Sequence, residues 1–197
     1  MIYELAHFIR DKISFVWDLV EWSNALFFGW FHSKGLKNIP RIHAEASNET
    51  FTIRMTKDDD ALRLVKFFNE QPEEAFVHFN PHSFDEKSII KILRNKAFMT
   101  FVVTASGEIV GYFFLRAFIN GICFRGKIVH KDWQGKGVAK LMGIAMTDVA
   151  ASLGLRMFGS ISPQNYASMA SAKASNEIVV HKTLKNGDYY IEFLPKK

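Results

Sequence analysis

The sequence has only one cysteine, Cys123, among its 197 residues. A single thiol excludes an internal disulfide framework and a zinc site built from several cysteines. Cys123 falls within a predicted strand, where we interpret it as a small buried apolar side chain and not as a nucleophile. The lack of paired cysteines favours a reducing, cytoplasmic compartment.

The sequence also lacks a long apolar run that is free of charge. Its most apolar stretch, Ile13 to His32, contains Asp18 and Glu21. Burial of an aspartate at the centre of a bilayer costs roughly 2.5–3.5 kcal/mol, so these acids disfavour a membrane-spanning helix. Residues Met1 to Arg10 do not follow the pattern of a secretory signal. We therefore expect a soluble chain.

A basic stripe with interleaved aromatic residues, which nucleic-acid binding would require, is missing as well. The formal net charge of +5 comes from residues scattered along the chain. Such a charge favours an anionic partner such as a phosphorylated cofactor or a lipid headgroup. With 48% apolar residues, the chain has the composition of one globular domain, with or without an appendage.

The chain divides into two zones by composition. The pattern from Met1 to about Trp30 predicts a helix crowded with aromatic side chains, and Pro40 prevents its continuation. The polar run from Ala46 to Thr50 is typical of a joint. We predict a helical appendage over residues 1–45 and a main domain over residues 46–197.

The main domain shows an α+β pattern, in which Asn120-Gly121 and Asn186-Gly187 mark hairpin turns. In order, we predict strand Phe51–Met55, a helix ended by Pro72, a helix capped by Ser83 and running to about Asn95, strands Phe98–Ala105, Glu108–Phe118 and Ile122–His130, helix Val138–Leu153, strand Leu155–Ile161, helix Asn165–Ala174, and a hairpin of Ile178–Leu184 with Asp188–Leu194.

The turn Lys131–Gly137 lies between a strand and the clearest helix, an arrangement that binds phosphate. The first N–H groups of a helix have no partner within it, and the helix dipole adds positive charge. Gly135 and Gly137 permit unusual backbone angles, while Lys136 and Lys140 supply cations. Neither a Walker P-loop nor a complete dinucleotide fingerprint is present.

Gln134, Gly137 and Ala139 match Q-x-x-G-x-A, the cofactor-binding signature of the GNAT superfamily. The order of helices and strands is also similar to that of this superfamily. From about Phe51 to Leu194, the chain therefore resembles these acyltransferases. The resemblance implies a mixed, mostly antiparallel sheet flanked by helices. It also implies acetyl transfer from acetyl-CoA to an amine, without a metal or a covalent enzyme intermediate.

The resemblance implies specific contacts with the cofactor. The pantetheine arm would lie in a gap between two splayed strands, where an N–H group near Val129 polarises the thioester and Asn165 and Ser168 touch the arm. Asn165 is also consistent with a simple helix cap. The pyrophosphate would contact the backbone of Gln134, Gly135, Lys136, Gly137, Val138 and Ala139.

The sequence departs from the family at the catalytic positions. Many relatives have a proton-donating tyrosine seven residues after the asparagine, where this chain has Ala172. The strand before the signature holds Arg125 and Lys127 but no glutamate to act as base. For any one histidine, the more common interpretation is an ordinary surface or hydrogen-bonded residue. The candidates that remain are His130, His78 and His82, with Glu73 and Glu74 behind them, as bases, and Tyr166 or Tyr189 as acids.

The N-terminal helix has two interpretations. In the first, it packs against protein, either the main domain or the same helix of a second copy in a homodimer. In the second, it lies on the cytoplasmic face of a membrane. In the second case Trp17, Trp22 and Trp30 would reach headgroup depth, and the basic residues Lys34, Lys37 and Arg41 would face anionic lipid.

Three functions follow from these patterns. We expect an N-acetyltransferase that acts on a primary amine of a small molecule, for which an amino sugar of glycan biosynthesis is our preferred class. The alternative is a non-catalytic CoA-binding sensor or scaffold. A membrane-bound structural protein would bind no CoA at all.

Overall fold

The computed structural model describes residues 14–196 and the side chains of residues 19–196. Eight strands form one sheet in the order β1-β2-β3-β4-β5-β6-β8-β7. All neighbouring pairs are antiparallel except β5 with β6, as expected for a mixed, mostly antiparallel sheet. The strands are β1 Ile42–Ala46, β2 Glu49–Met55, β3 Phe98–Ala105, β4 Glu108–Ala117, β5 Ile122–Val129, β6 Arg156–Ile161, β7 Glu177–Thr183 and β8 Tyr189–Leu194.

Helices flank both faces of this sheet, which confirms the predicted α+β class. Short 3₁₀ turns cover Asp58–Asp60, Glu73–Phe76 and Lys131–Trp133. The α-helices of the described chain are α1 Ser14–Phe31, α2 Ser33–Lys37, α3 Ala61–Asn69, α4 Glu86–Leu93, α5 Val138–Ser152 and α6 Tyr166–Ser175.

The two faces of the sheet form two separate cores, because successive side chains of a strand point to opposite faces. On β4, Phe113 and Leu115 belong to a core that α5 and Phe28 of α1 complete. Tyr112 and Phe114 belong to the other core, which α3 and α4 cover. Because both faces are covered, β4 is apolar along most of its length.

The predicted joint at Ala46–Thr50 is instead the turn of a hairpin, so this prediction was wrong. Strand β1 pairs with β2 from Ile42 opposite Ile53 to Ala46 opposite Glu49. Ser47 and Asn48 have φ values of 49° and 62°, as a two-residue type I′ turn requires. Polar residues that tolerate positive φ serve a tight turn as well as a linker. The division between residues 45 and 46 remains a prediction.

The predicted cap of α4 was also misplaced. Asp85, and not Ser83, has the extended backbone of an N-cap, and its side chain accepts a hydrogen bond from Ser88 N at 3.0 Å. The helix begins two residues later than expected and ends at Leu93. The predicted boundaries of β3 were correct, and those of β4, β5, α5 and β6 differ by one residue at most.

Helix α1 is attached to the end of β4 by polar contacts. Asn24 Nδ2 donates to Ala117 O at 2.9 Å, and Asn24 Oδ1 accepts from Ile119 N at 3.2 Å. Glu21 forms an ion pair with Arg116. Residues 1–13 and the side chains of Trp17 and Asp18 lie outside the described part. Within that part, no helix combines the length and apolar character that crossing a bilayer requires.

A buried carboxylate joins β2 to the start of α3. Asp60 is 1% exposed and accepts hydrogen bonds from Arg54 Nη1 at 2.6 Å and Arg54 Nη2 at 2.8 Å. It also accepts from Lys57 N at 2.9 Å, and Arg63 lies 3.3 Å away. Burial raises the pKa of Asp60, but these hydrogen bonds and charges outweigh it, so the pKa is lower than usual.

We expect Asp60→Asn to lower the free energy of unfolding at pH 7 by about 3 kcal/mol, because it leaves Arg54 without its charged partner. Chemical denaturation measures this value. The lowered pKa means that the contribution of Asp60 is present above its unfolded pKa of about 3.9 and is lost as the pH falls through the folded pKa. The deficit of the variant should therefore shrink below about pH 4.

Asp58→Asn provides the control for this substitution. Asp58 lies two residues earlier, but its side chain is 67% exposed and meets Arg94 only at 3.5 Å. Exposed pairs of this kind contribute about 0–1 kcal/mol. Equal losses of stability in the two variants would contradict the role assigned to Asp60.

Candidate functional site

The turn between β5 and α5 presents six consecutive backbone N–H groups that have no acceptor within the described chain. They run from Gln134 to Ala139. Gly135 and Gly137 have φ values of 75° and 82°, which other residues rarely adopt. Lys140 N and Leu141 N both donate to Gly137 O, so the regular bonding of α5 begins only there. The turn can therefore receive an anion.

Hydrogen bonds hold this turn against the end of α3. Lys131 N donates to Gln71 Oε1 at 3.0 Å, and Gln71 Nε2 donates to Phe67 O at 2.7 Å. Trp133 N donates to His130 O at 2.8 Å, and the Trp133 ring packs edge-on against Phe51. The N–H groups are thus fixed before any ligand arrives, which lowers the entropic cost of binding.

Beside the turn, strands β5 and β6 separate. They pair only where Ile122, Cys123 and Phe124 face Arg156, Met157 and Phe158. Past Phe124 the pairing stops, as the resemblance implied. His130 N donates to Val110 O of β4, and N–H groups alternate sides along a strand, so Val129 N–H points away from β4 towards the gap.

A cavity of about 250 Å³ opens at this gap. Its walls come from both strands, from α6 and from the loop between α3 and α4. Lining side chains include His78, Arg125, Lys127, Ser160, Ser168 and Phe193. The gap therefore lies beside the turn with its free N–H groups and opens into a cavity lined by residues of both strands.

No family model matches the sequence, and no curated protein matches it. Solved structures do match the fold. The GNAT domain of S. lividans PAT covers 78% of this chain and 96% of its own length, with a TM-score of 0.70 at 18% identity. This chain has the GNAT fold.

Two further GNAT-fold neighbours carry a ligand related to CoA. Mycobacterium smegmatis RimJ, in complex with CoA-disulfide, has a TM-score of 0.65 at 17% identity and covers 79% of this chain and 86% of its own. The aminoglycoside acetyltransferase AAC(6′)-Ib, in complex with coenzyme A and kanamycin, has a TM-score of 0.58 at 12% identity. It covers 74% of this chain and 95% of its own.

The predicted cap at Asn165 is present in this GNAT fold. Asn165 Oδ1 accepts from Ser168 N at 3.0 Å, and α6 follows directly. Ser168 also lines the cavity. Contact of these two residues with a pantetheine arm remains a prediction. Ala172, at the position of the family tyrosine, is completely buried.

The candidate catalytic residues lie in different surroundings. His78 is exposed and lines the cavity. His130 accepts from Asp132 N at 3.3 Å through Nδ1, and its Nε2 lies 3.4 Å from Glu70 Oε2, so both ring nitrogens have partners. Tyr166 is 79% exposed at the start of α6. These roles remain predictions.

His82, the third candidate histidine, has structural partners, and Cys123 lies in the core. His82 bonds to Tyr112 Oη at 3.1 Å through Nε2 and to Ser83 O through Nδ1. Burial lowers the pKa of His82, which favours a neutral ring in the aromatic core. Cys123 is completely buried, and burial raises the pKa of its thiol to about 12. His82 is half-buried, whereas Cys123 belongs to the interior, as was expected.

Sequence reasoning gave no role to Lys127. Lys127 Nζ donates to Ala139 O at 2.6 Å and to Ser171 Oγ at 2.7 Å, so it connects α5 to α6. Burial first, and the charge of Arg125 second, lower the pKa of Lys127 to about 7. The sequence does indicate that Lys127 points inward. Residues two apart in a strand point to the same face, so Lys127 shares a face with Arg125 and the apolar Cys123.

Arg125 lies beside Lys127 on the same face. Arg125 Nη1 donates to Asn176 Oδ1 at 3.0 Å, and the guanidinium lies 3.4 Å from the centre of the Phe193 ring. Burial lowers the pKa of Arg125, but a guanidinium keeps its proton at neutral pH. Among the residues described, no group of His, Cys, Asp and Glu side chains is placed to hold a metal ion.

Proposed function

We propose that this protein transfers an acetyl group from acetyl-CoA to a primary amine of a small molecule. The observation that carries the proposal is the row of free N–H groups from Gln134 to Ala139, directly beside the gap between β5 and β6. Free amides at a helix N-terminus suit a pyrophosphate. A strand edge without a partner suits the amides of pantetheine.

In this proposal the chain itself performs three tasks. The turn and the cations of Lys136 and Lys140 hold the pyrophosphate, and Asn165 and Ser168 contact the pantetheine arm. Acetyl-CoA supplies the activated acyl group. The N–H group of Val129 stabilises the negative charge that develops on the carbonyl oxygen.

The reaction also needs a group that accepts the proton of the attacking amine. Among the predicted candidates, His78 is favoured, because it lines the cavity, while both ring nitrogens of His130 have partners. The amine nitrogen forms the new bond to the carbonyl carbon, the carbon–sulfur bond breaks, and the proton leaves through His78. Tyr166 is our candidate to protonate the departing thiolate.

For the acceptor we propose an amino sugar. The support is the size and polarity of the cavity, together with the neighbour AAC(6′)-Ib, whose structure contains kanamycin. A panel of amino sugars, aminoglycosides, polyamines and amino acids tests the proposal by release of free CoA thiol. We expect turnover with amino sugars. Turnover only with aminoglycosides, polyamines or amino acids would reject the amino sugar as acceptor, but it would still support an acetyltransferase.

The second candidate is a non-catalytic CoA-binding module. It is favoured by Ala172 in place of the family tyrosine and by the lack of a glutamate in β5. Binding of CoA without turnover of any amine in the same panel would support this candidate.

Gly137→Ala tests the cofactor turn directly. An alanine would adopt a φ near 82° at a cost of roughly 1–2 kcal/mol, and its Cβ would lie 3.1 Å from Ala46 Cβ. The backbone strain and the close contact both disfavour the present shape of the turn, so we expect acetyl-CoA to bind at least tenfold more weakly, about 1.4 kcal/mol, by calorimetry.

Gly154→Ala is the matched control. Gly154 follows the other end of α5 with a φ of 66°, and a Cβ there meets open space. The variant carries a similar backbone strain but should bind acetyl-CoA like the wild type. Loss of affinity in both variants, or in neither, would count against a cofactor site at Gly137.

We further propose that α1 holds the protein at the cytoplasmic face of a membrane. Of the two acids that argued against membrane contact, Asp18 and Glu21, Glu21 turns inward and pairs with Arg116. The outward side is apolar, and the basic residues Lys34, Lys37 and Arg41 that follow it are exposed. Seven side chains of this outward side are 45–73% exposed: Leu19, Val20, Trp22, Leu26, Phe27, Trp30 and Phe31.

Flotation with vesicles tests this surface. We expect the wild type to float with vesicles of phosphatidylcholine and phosphatidylglycerol, and less with phosphatidylcholine alone, because cations attract anionic lipid. Trp22→Ser with Trp30→Ser should abolish flotation, since both indole rings leave the interface. Deletion of the residues before Phe51 would not be a suitable control for flotation, because the shortened chain lacks β1 and the buried Phe28.

The control for flotation replaces equally exposed residues elsewhere. Leu62 and Val77 are 65% and 72% exposed, so Leu62→Ser with Val77→Ser should float like the wild type. Failure of the wild type to float with either vesicle would reject the membrane. A concentration-dependent dimer that the tryptophan variant loses would assign the surface to a second copy of the chain.

A further inference from the structure

Arg125 and Lys127 place two cations side by side at the gap between β5 and β6. They stand two residues apart in β5, so they share the face of the strand that also bears the buried Cys123. Both residues line the cavity at the gap. Neither is part of the turn that presents the free N–H groups, so they form a second concentration of positive charge.

Neither cation has an anionic partner among the described residues 19–196. In the part of the chain that is described, the contacts of Arg125 are the Asn176 amide and the Phe193 ring, and those of Lys127 are a carbonyl and a hydroxyl. Among the residues that the structure describes, no Asp or Glu lines the cavity. By contrast, the partly buried Arg54 is paired with Asp60 and Arg116 is paired with Glu21.

Such an arrangement is costly in the absence of a ligand. Burial of charge without a counter-ion disfavours the charged form, and two neighbouring cations repel each other. The lowered pKa of Lys127 reflects both effects. An anion in the cavity would remove much of this cost, since it would attract both groups at once.

Donors for such an anion remain available. A guanidinium has five N–H bonds, of which Arg125 uses one for Asn176. An ammonium has three, of which Lys127 uses two for Ala139 O and Ser171 Oγ. Carboxylate and phosphate oxygens are the acceptors that such a pair of cations binds best.

We propose that Arg125 and Lys127 form a receptor for an anionic oxygen group, a carboxylate or a phosphate, on the molecule that enters the cavity. This inference rests on the proposed function only in taking the gap as the place where acceptor and thioester meet. The anion belongs either to the acceptor or to the acyl group, so the substrate is an anionic amine or a dicarboxylic acyl thioester.

Nuclear magnetic resonance of the lysine side chains tests the receptor without a variant. In this experiment, Lys127→Met is needed only to assign the Lys127 signal. A bound anion favours the ammonium, so glucosamine 6-phosphate or succinyl-CoA should raise the pKa of Lys127 from about 7 by about one unit. Glucosamine and acetyl-CoA, which lack the added anionic group, should move it less.

Calorimetry then identifies the source of the anion. We expect one member of a pair to bind at least tenfold more tightly than its counterpart: succinyl-CoA over acetyl-CoA for the acyl group, or glucosamine 6-phosphate over glucosamine for the acceptor. Lys127→Met should lose this preference, and Lys127→Arg, which keeps the charge, should retain part of it. Lys173→Met removes the same charge from an exposed position on α6, so this variant should keep the preference fully.

The outcomes separate this inference from the proposed function. Binding of CoA with no preference in either pair, and no response of Lys127 to any anionic probe, would overturn the receptor and leave acetyl transfer intact. A preference that persists in Lys127→Met would overturn it as well, and Lys127 would then only connect α5 to α6. A response of Lys127 without binding of CoA would support the receptor and reject the acetyltransferase.

Discussion

The pairing of β5 with β6 stops after three residues, and the rest of the site depends on where it stops. Had it continued, the N–H group of Val129 would have been used inside the sheet and the cavity would have been closed. The two strands separate, but the cores on both faces of the sheet remain packed. The helices on both faces hold the two halves of the sheet in place, so the gap is a fixed feature.

Local patterns predicted the elements around this gap well. Helix α5 shows a continuous apolar face, and the Asn-Gly turns at 120 and 186 agree with the hairpins observed. The residues Gln134, Gly137 and Ala139 pointed to the turn. These features depend on neighbours close in the chain, which is the information that a single sequence contains.

Other features depend on partners that are distant in the chain. Whether Glu21 faces lipid or protein is decided by Arg116, and the role of Lys127 is decided by Ala139 and Ser171. The polar run at residues 46–50 was ambiguous, because residues that suit a linker also suit a type I′ turn. The contact of His82 with Tyr112 likewise joins residues that lie thirty positions apart in the chain.

The hairpin of β1 and β2 has a consequence beyond the sheet. Its Ala46 stands where any side chain added at Gly137 would come within 3.1 Å. A larger residue at 46 would press on the turn from behind, although position 46 touches no reacting group. Selection on the turn should therefore extend to the hairpin and keep the side chain at position 46 small in homologous chains.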